Sequence, residues 1–239
     1  MKRIMVMVLR NILFVPWWFI QLCLYAREKD NHSPEDKLAL LKKIVRNANK
    51  GGRVTVKGYG QENLPDEDGF MLYPNHQGMY DVLAIIDTCD RPFSVVMKKE
   101  VENVPVLKQV LKMINALAMD RSDIRQSMGV IMEVTKRVKT GQNYAIFPEG
   151  TRSKNGNQLL EFKGGSFKAA VKAKCPIVPV ALINAFEPFD SHSLKPVTVQ
   201  IHYLPPLYYD EYKDMKTTEI AEEVKNRIQK EIKKFEISC

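Results

Sequence analysis

The sequence predicts an α/β fold in which a sheet is flanked by helices. Strand-like runs alternate with helical patterns along most of the 239 residues, and no repeat or low-complexity tract interrupts them. A hydrophobic fraction of 45% beside 27% charged residues supplies one sizeable core. A linker-like break near residues 28–34 divides the chain into a membrane-anchoring helical segment, 1–30, and an α/β domain, 31–239.

The N-terminal segment reads "MKRIMVMVLRNILFVPWWFIQLCLY". Arg10 and Asn11 interrupt it and no small-residue cleavage site follows, which argues against a signal peptide. The apolar stretch Ile12–Tyr25 is shorter than the roughly 20 residues a span needs, and Pro16 is expected to kink it. Trp17, Trp18 and Tyr25 suit the headgroup zone, with Lys2, Arg3, Arg10, Arg27 and Lys29 on both sides. The expectation is a helix that enters the cytoplasmic face of the cell membrane without crossing. A tilted single span and a helix packed on the protein's own core are the alternatives.

In the body, Ser33 and Pro34 open a helix whose apolar face holds Leu38, Leu40, Leu41, Ile44 and Val45, and Gly51-Gly52 are expected to stop it. "RVTVKGYG" and "FMLYP" read as strands on either side of the turn "LPDEDG". "MYDVLAIID" is a short buried helix, "PFSVVMK" a strand, and "VPVLKQVLKMI" a helix ending near "NALAMDR". A long amphipathic helix follows, with Ile124, Met128, Ile131 and Val134 on its apolar side and Gly141 as its stop. "YAIFPEGTRS" is a strand leaving into a loop, "GSFKAAVKA" a helix, and "PIVPVAL" and "VTVQIHYLPPL" are strands. The last helix aligns Ile220, Val224, Ile228, Ile232 and Phe235 in one stripe.

A formal net charge of +8 attracts anions. Zinc-finger spacing, a GxxG loop, an RNP-like strand and a basic arm are all missing, so no nucleic-acid partner is expected. Cys23, Cys89, Cys175 and Cys239 are scattered, which suits a reducing compartment. No metal-ligand cluster is apparent, so no metal or cofactor is expected.

The stretch "YPNHQGMYD" places His76 before a helix start and Asp81 in its first turn. A corner at Gln77-Gly78 lets the two meet. Asp81 would then hold one ring nitrogen of His76 and leave the other as a base, the base-and-orienter half of a triad. A structural His–Asp bond is the alternative. With no serine or cysteine in the motif, the attacking hydroxyl would come from the substrate. The second motif, "IFPEGTRSKNG", leaves a strand at Pro148 into Glu149, Gly150, Thr151 and Arg152. Arg152 offers a planar fork suited to phosphate, and Lys163-Gly164-Gly165 opens a helix nearby.

Together "NHQGMYD" and "FPEGTRS" resemble the first and third signature blocks of the glycerolipid acyltransferases, with 1-acylglycerol-3-phosphate acyltransferases as the best match. "NALAMDR", ending in Arg121, stands where the second block belongs, although the family usually has glycine at Asn115 and an aromatic at Ala118. "IVPVAL", with Pro179, resembles the fourth. The resemblance implies a glycerol-3-phosphate acyltransferase-like sheet behind a membrane-associated N-terminal segment. It implies His76 as general base and Asp81 as its partner. It also implies Arg152, Lys98 (with Lys99 as its neighbour) and Arg121 on the acceptor phosphate, and Glu149 and Gly150 organising the loop.

The implied reaction moves an acyl chain from an acyl carrier protein or coenzyme A thioester to the sn-2 hydroxyl of lysophosphatidate, giving phosphatidate. Backbone N–H groups near the dyad or Pro179 are candidates for the oxyanion. Leu83, Ile85, Val104, Leu107 and Met113 are candidates for the acyl slot, against the alternative that they are plain core. The positive surface suits an acidic carrier protein and an anionic membrane. Acylation of another lysophospholipid or of glycerol 3-phosphate is the alternative activity, and a membrane-attached lipid-binding protein is the non-enzymatic one.

Overall fold

Helix α1 (Lys2–Arg10) and helix α2 (Val15–Arg27) open the chain in a computed structural model that describes residues 2–27, 31–102, 104 and 106–236. Lys29 and Cys239 lie outside the described residues. The two helices meet at 97°, and no single described helix is long and apolar enough to cross a membrane. The break falls at Asn11–Phe14 and not at Pro16. Asn11 donates its side-chain amide to the Met7 carbonyl at 2.8 Å, ending the first helix. Pro16 sits in the first turn of α2, where its missing N–H costs nothing.

Arg3 is no headgroup ligand. It is 1% exposed and donates to the carbonyls of Gly52, Ser193 and Lys195 at 2.7–2.9 Å. Met7, Leu22 and Ala26 join the same apolar core as the body. Much of the remaining surface of these helices is apolar and exposed, including Leu9, Leu13, Phe14, Trp17 and Ile20.

Ser33 caps helix α3 (Pro34–Gly52) in a capping box with Asp36. Gly51 and Gly52 belong to the helix, and Arg53, in the left-handed region at φ 57°, turns the chain. Side chains on the two glycines would strike Asn11 and Met7, so their smallness admits α1. Strand β1 (Val54–Tyr59), strand β2 (Met71–Pro74), helix α4 (Asp81–Thr88) and strand β3 (Phe93–Lys98) follow. Helix α5 (Leu107–Met113) then leads into strand β4 (Leu117–Met119), a short edge strand within "NALAMDR". Asn115, before it, has φ 52°. Asparagine tolerates that conformation better than most side chains.

Helix α6 (Ile124–Lys139) buries Val130, Val134 and Val138 and leaves Ile124 and Met128 exposed, so its packed side is rotated from the one expected. Strand β5 (Asn143–Ala145), helix α7 (Lys168–Ala173), strand β6 (Ile177–Ile183), helix α8 (Glu187–Asp190), strand β7 (Val197–Tyr203), helix α9 (Tyr209–Tyr212) and helix α10 (Thr217–Glu236) complete the chain.

The seven strands form one sheet in the order β1-β7-β6-β2-β5-β3-β4. The five from β6 to β4 are parallel; β7 runs antiparallel to β6, and β1 runs with β7. Helices cover both faces, so the middle strands read as unbroken apolar runs. Leu72 faces one core with Leu41 and Ile85, while Met71 and Tyr73 face the other with Val134, Phe167 and Ile228. The stripe Ile220, Val224, Ile228 and Ile232 on α10 is wholly buried. This topology delivers the loops after β2, β3, β4, β5 and β6 to one end of the sheet, where open α/β sheets place their chemistry.

Candidate active site

His76 leaves the central strand β2 into that end, and its Nδ1 lies 2.7 Å from Asp81 Oδ2 in the first turn of α4. The Asp81 side chain is fully buried, whereas 22% of the His76 side chain stays exposed. Asp81 also accepts the Gln77 N–H at 2.7 Å and the Gly78 N–H at 3.0 Å. An oxygen already receiving the Gln77 N–H faces the ring as an acceptor, so Nδ1 carries the proton and Nε2 keeps its lone pair. Burial pushes the Asp81 carboxyl up from its ordinary range, while the His76 ring and the Gly78 and Gln77 amides pull it back.

Gly78 does not serve the corner through a left-handed φ. A side chain there would collide with the Asp190 carboxylate and approach the Phe186 Cα to 3.3 Å. Helix α4 is fixed from the far side: the Tyr80 hydroxyl donates to Asn49 at 2.6 Å, and Asn49 donates to Asp87 at 2.9 Å.

The second motif leaves the neighbouring strand β5 and locks onto the first. Glu149 accepts the His76 N–H at 2.7 Å and the Leu160 N–H at 3.1 Å, and Ser153 donates its N–H to the His76 carbonyl at 2.8 Å. Burial pushes the Glu149 carboxyl up, against the pull of the His76 and Leu160 amides. Phe147 packs against the imidazole with centroids 4.4 Å apart. Gly150, at φ 73°, turns the loop where a side-chain-bearing residue would be strained. Two further side chains of the first motif tie it to β6 and the residues just beyond. Asn75 exchanges hydrogen bonds with the Leu182 backbone at 2.7 and 3.1 Å. Gln77 takes the Ala185 N–H at 2.7 Å and donates to Asn157 at 2.8 Å. In the sequence Gln77 stands out only as part of the corner, and no motif or period marks Asn157 or Asp190.

The phosphate candidates stand at increasing distance from the histidine. Arg152 follows β5, next to β2, with its Nη1 3.5 Å from Asp190. Lys98 ends β3 and pairs with Glu100 at 2.7 Å; Lys99 lies 3.6 Å from Asp120. Arg121 is exposed beyond β4. At about 4.8 Å per strand, Lys98 starts roughly 10 Å and Arg121 roughly 14 Å to the side of β2.

Of the acyl-slot candidates, Val104 is partly exposed, while Leu83 and Leu107 pack partly buried against the core. Ile85 is wholly buried there. Met113 lines a cavity of about 170 Å³ with Phe93 and Asn143, at the end of the sheet away from His76. Pro179 lies inside β6 opposite Tyr73, well before the strand's end, so the backbone around it does not reach the dyad. Among the described residues, no three His, Cys, Asp or Glu side chains gather as a metal site.

The family model described as Acyltransferase matches residues 53–183. A 1-acyl-sn-glycerol-3-phosphate acyltransferase of Borreliella burgdorferi is 30% identical over 183 residues, covering 74% of this chain and 72% of that protein. The Escherichia coli protein of the same description is 31% identical over 159 residues, covering 66% of this chain and 64%, slightly under two thirds, of its own length. Among solved structures, the 1-acyl-sn-glycerophosphate acyltransferase of Thermotoga maritima superposes with a TM-score of 0.79 at 19% identity, covering 98% of this chain and 97% of that one. That likeness establishes the fold.

Proposed function

Because this chain belongs to the acyltransferase family, we propose that it transfers an acyl chain from a thioester to the free sn-2 hydroxyl of 1-acyl-sn-glycerol 3-phosphate. The observation that carries the mechanism is the 2.7 Å contact of His76 Nδ1 with buried Asp81, which leaves the other ring nitrogen on the open side.

His76 Nε2 takes the proton of the acceptor hydroxyl as its oxygen attacks the thioester carbonyl. The tetrahedral intermediate collapses, the carbon–sulfur bond breaks, and the imidazolium returns its proton to the leaving thiolate. No acyl-enzyme forms. Proton transfer by a positioned base contributes about 10²–10⁴-fold, and holding both substrates at one sheet end adds an entropic gain. Arg152 is the cation nearest the base by strand order, and we assign it the acceptor phosphate. Lys98 reaches the same group only by leaving Glu100, and Arg121 is the most remote of the three.

The donor is a thioester of acyl carrier protein or coenzyme A. The exposed apolar face of α1 and α2, with Trp17 and Phe14, seats the protein on an anionic membrane and brings the site to its lipid substrate.

The test is phosphatidate formation from radiolabelled lysophosphatidate and an acyl thioester, for the wild type and His76→Ala. Product from the wild type, with a loss of several hundredfold or more in a folded variant, supports both the reaction and the base. Turnover that survives the substitution removes the dyad mechanism. Product with a headgroup-bearing lysophospholipid or glycerol 3-phosphate, and none with lysophosphatidate, reassigns the acceptor.

A further inference from the structure

The Lys163 side chain lies across the Gly150 turn. A Cβ on Gly150 would meet the Lys163 Nζ at 3.1 Å, its Cε at 3.4 Å and its Cδ at 3.5 Å. The lysine is therefore laid over the one position of the Glu149–Arg152 loop that has no side chain. Its backbone is fixed from the same loop, since the Lys163 N–H donates to the Pro148 carbonyl at 2.9 Å. Residue 163 is exposed and forms no ion pair among the described residues. Of the three basic side chains matched to the phosphate, Arg152 and Lys98 each face a carboxylate, Asp190 and Glu100 respectively, and Arg121 lies farthest off, beyond β4.

We propose that Lys163 is a phosphate-binding residue of this site, acting with Arg152 on the two sides of the Gly150 turn. An ammonium on a flexible stem suits a phosphate as a point charge, where the guanidinium grips two oxygens. Glycine at 150 then has two physical reasons: the positive φ, and the space the lysine occupies. Two substrate groups present this chemistry, the phosphomonoester of the acceptor and the phosphate of the phosphopantetheine arm that either donor carries. This rests on the proposed acyl transfer only for the source of the phosphate.

The experiment compares full-length wild type, Lys163→Met, which keeps the stem and removes the charge, and Lys163→Arg. Inorganic phosphate binding is read by ³¹P NMR titration, and the KM of each substrate is read in turnover. Loss of a charge-assisted contact predicts phosphate binding weakened about tenfold in Lys163→Met, with much of it restored in Lys163→Arg. One KM should rise similarly while kcat and the unfolding midpoint hold. A rise in the acceptor KM assigns the phosphomonoester, and a rise in the donor KM assigns the phosphopantetheine arm. Unchanged phosphate binding with both KM values unchanged overturns the proposal, as does a fall in kcat alone. If the wild type does not turn over lysophosphatidate, the acyl-transfer reading fails, and the phosphate titration still decides Lys163.

Discussion

The backbone N–H of His76 donates to the Glu149 carboxylate at 2.7 Å, joining two loops 73 residues apart in sequence. The two signature motifs are therefore one object, and the general base takes its position from the loop that carries Arg152. Glu149→Gln leaves one oxygen for two N–H donors. Its expected cost is about 1–3 kcal/mol of stability, partly offset by no longer burying a charge, and turnover should fall at least severalfold. Urea unfolding alongside kcat checks this. An unchanged kcat would mean that other contacts place His76.

Asp81→Asn brings an NH₂ group against either the Gln77 and His76 donors or the Gly78 donor, because both oxygens are already occupied. In the first case the ring loses the acceptor that fixes its tautomer, and in the second it keeps only a neutral oxygen, which stabilises a developing imidazolium far less than a carboxylate does. We expect turnover to drop about 10²–10⁴-fold, with no recovery at higher pH. A variant that regains wild-type turnover at alkaline pH would contradict the tautomer role.

Gly78→Ala drives a methyl group into Asp190 and toward the Phe186 backbone. Overpacking of this kind costs about 1–3 kcal/mol. Adding Asp190→Ala should return part of that loss, leaving the share owed to Phe186. Thermal midpoints of the two single variants and the double variant measure the coupling, and strict additivity would place the strain elsewhere.

His202 is buried on β7 with its Nδ1 3.1 Å from Glu231 on α10, between the rings of Tyr59 and Phe235. Gln200 lies at 3.4 Å from its other nitrogen. Burial lowers the imidazole below its usual value, with Lys234 acting the same way and Glu231 opposing. The unfolded chain therefore takes the proton more readily. The stability that comes from keeping the ring neutral is present above the ordinary histidine pKa of about 6.5 and is lost as pH falls through the lowered folded value. His202→Gln should flatten the fall in unfolding free energy over that window. An unchanged slope would assign the acid sensitivity to another group.

Periodicity made the strands β2, β3, β6 and β7 and the stripe of α10 legible, because burial on one or both faces leaves a mark on every residue. The stripe of α6 was misread: Ile124 and Met128 continue the apolar spacing but point outward, and periodicity records the spacing without recording which neighbours arrive. Strand β4 spans three residues at an edge, too few for an alternation to register. His76 and Asp81 were legible as residue types, yet the corner between them works through close packing against Asp190 and Phe186 and not through backbone φ. Gln77, Asn157 and Asn75 act through side-chain amide contacts to residues distant in sequence, and such contacts leave no period.

Arg3 bears on how the protein can be handled. Its guanidinium ties the first turn of the chain to Gly52, Ser193 and Lys195, and Met7 fills the space that Gly52 leaves open. Trimming the greasy leading residues to obtain a tractable soluble enzyme would pull a keystone from the interior and uncover apolar surface on α3. A shortened chain should aggregate more, not less, and solubility is better sought by exchanging outward residues such as Leu13 and Trp17 while Arg3 and Met7 stay in place.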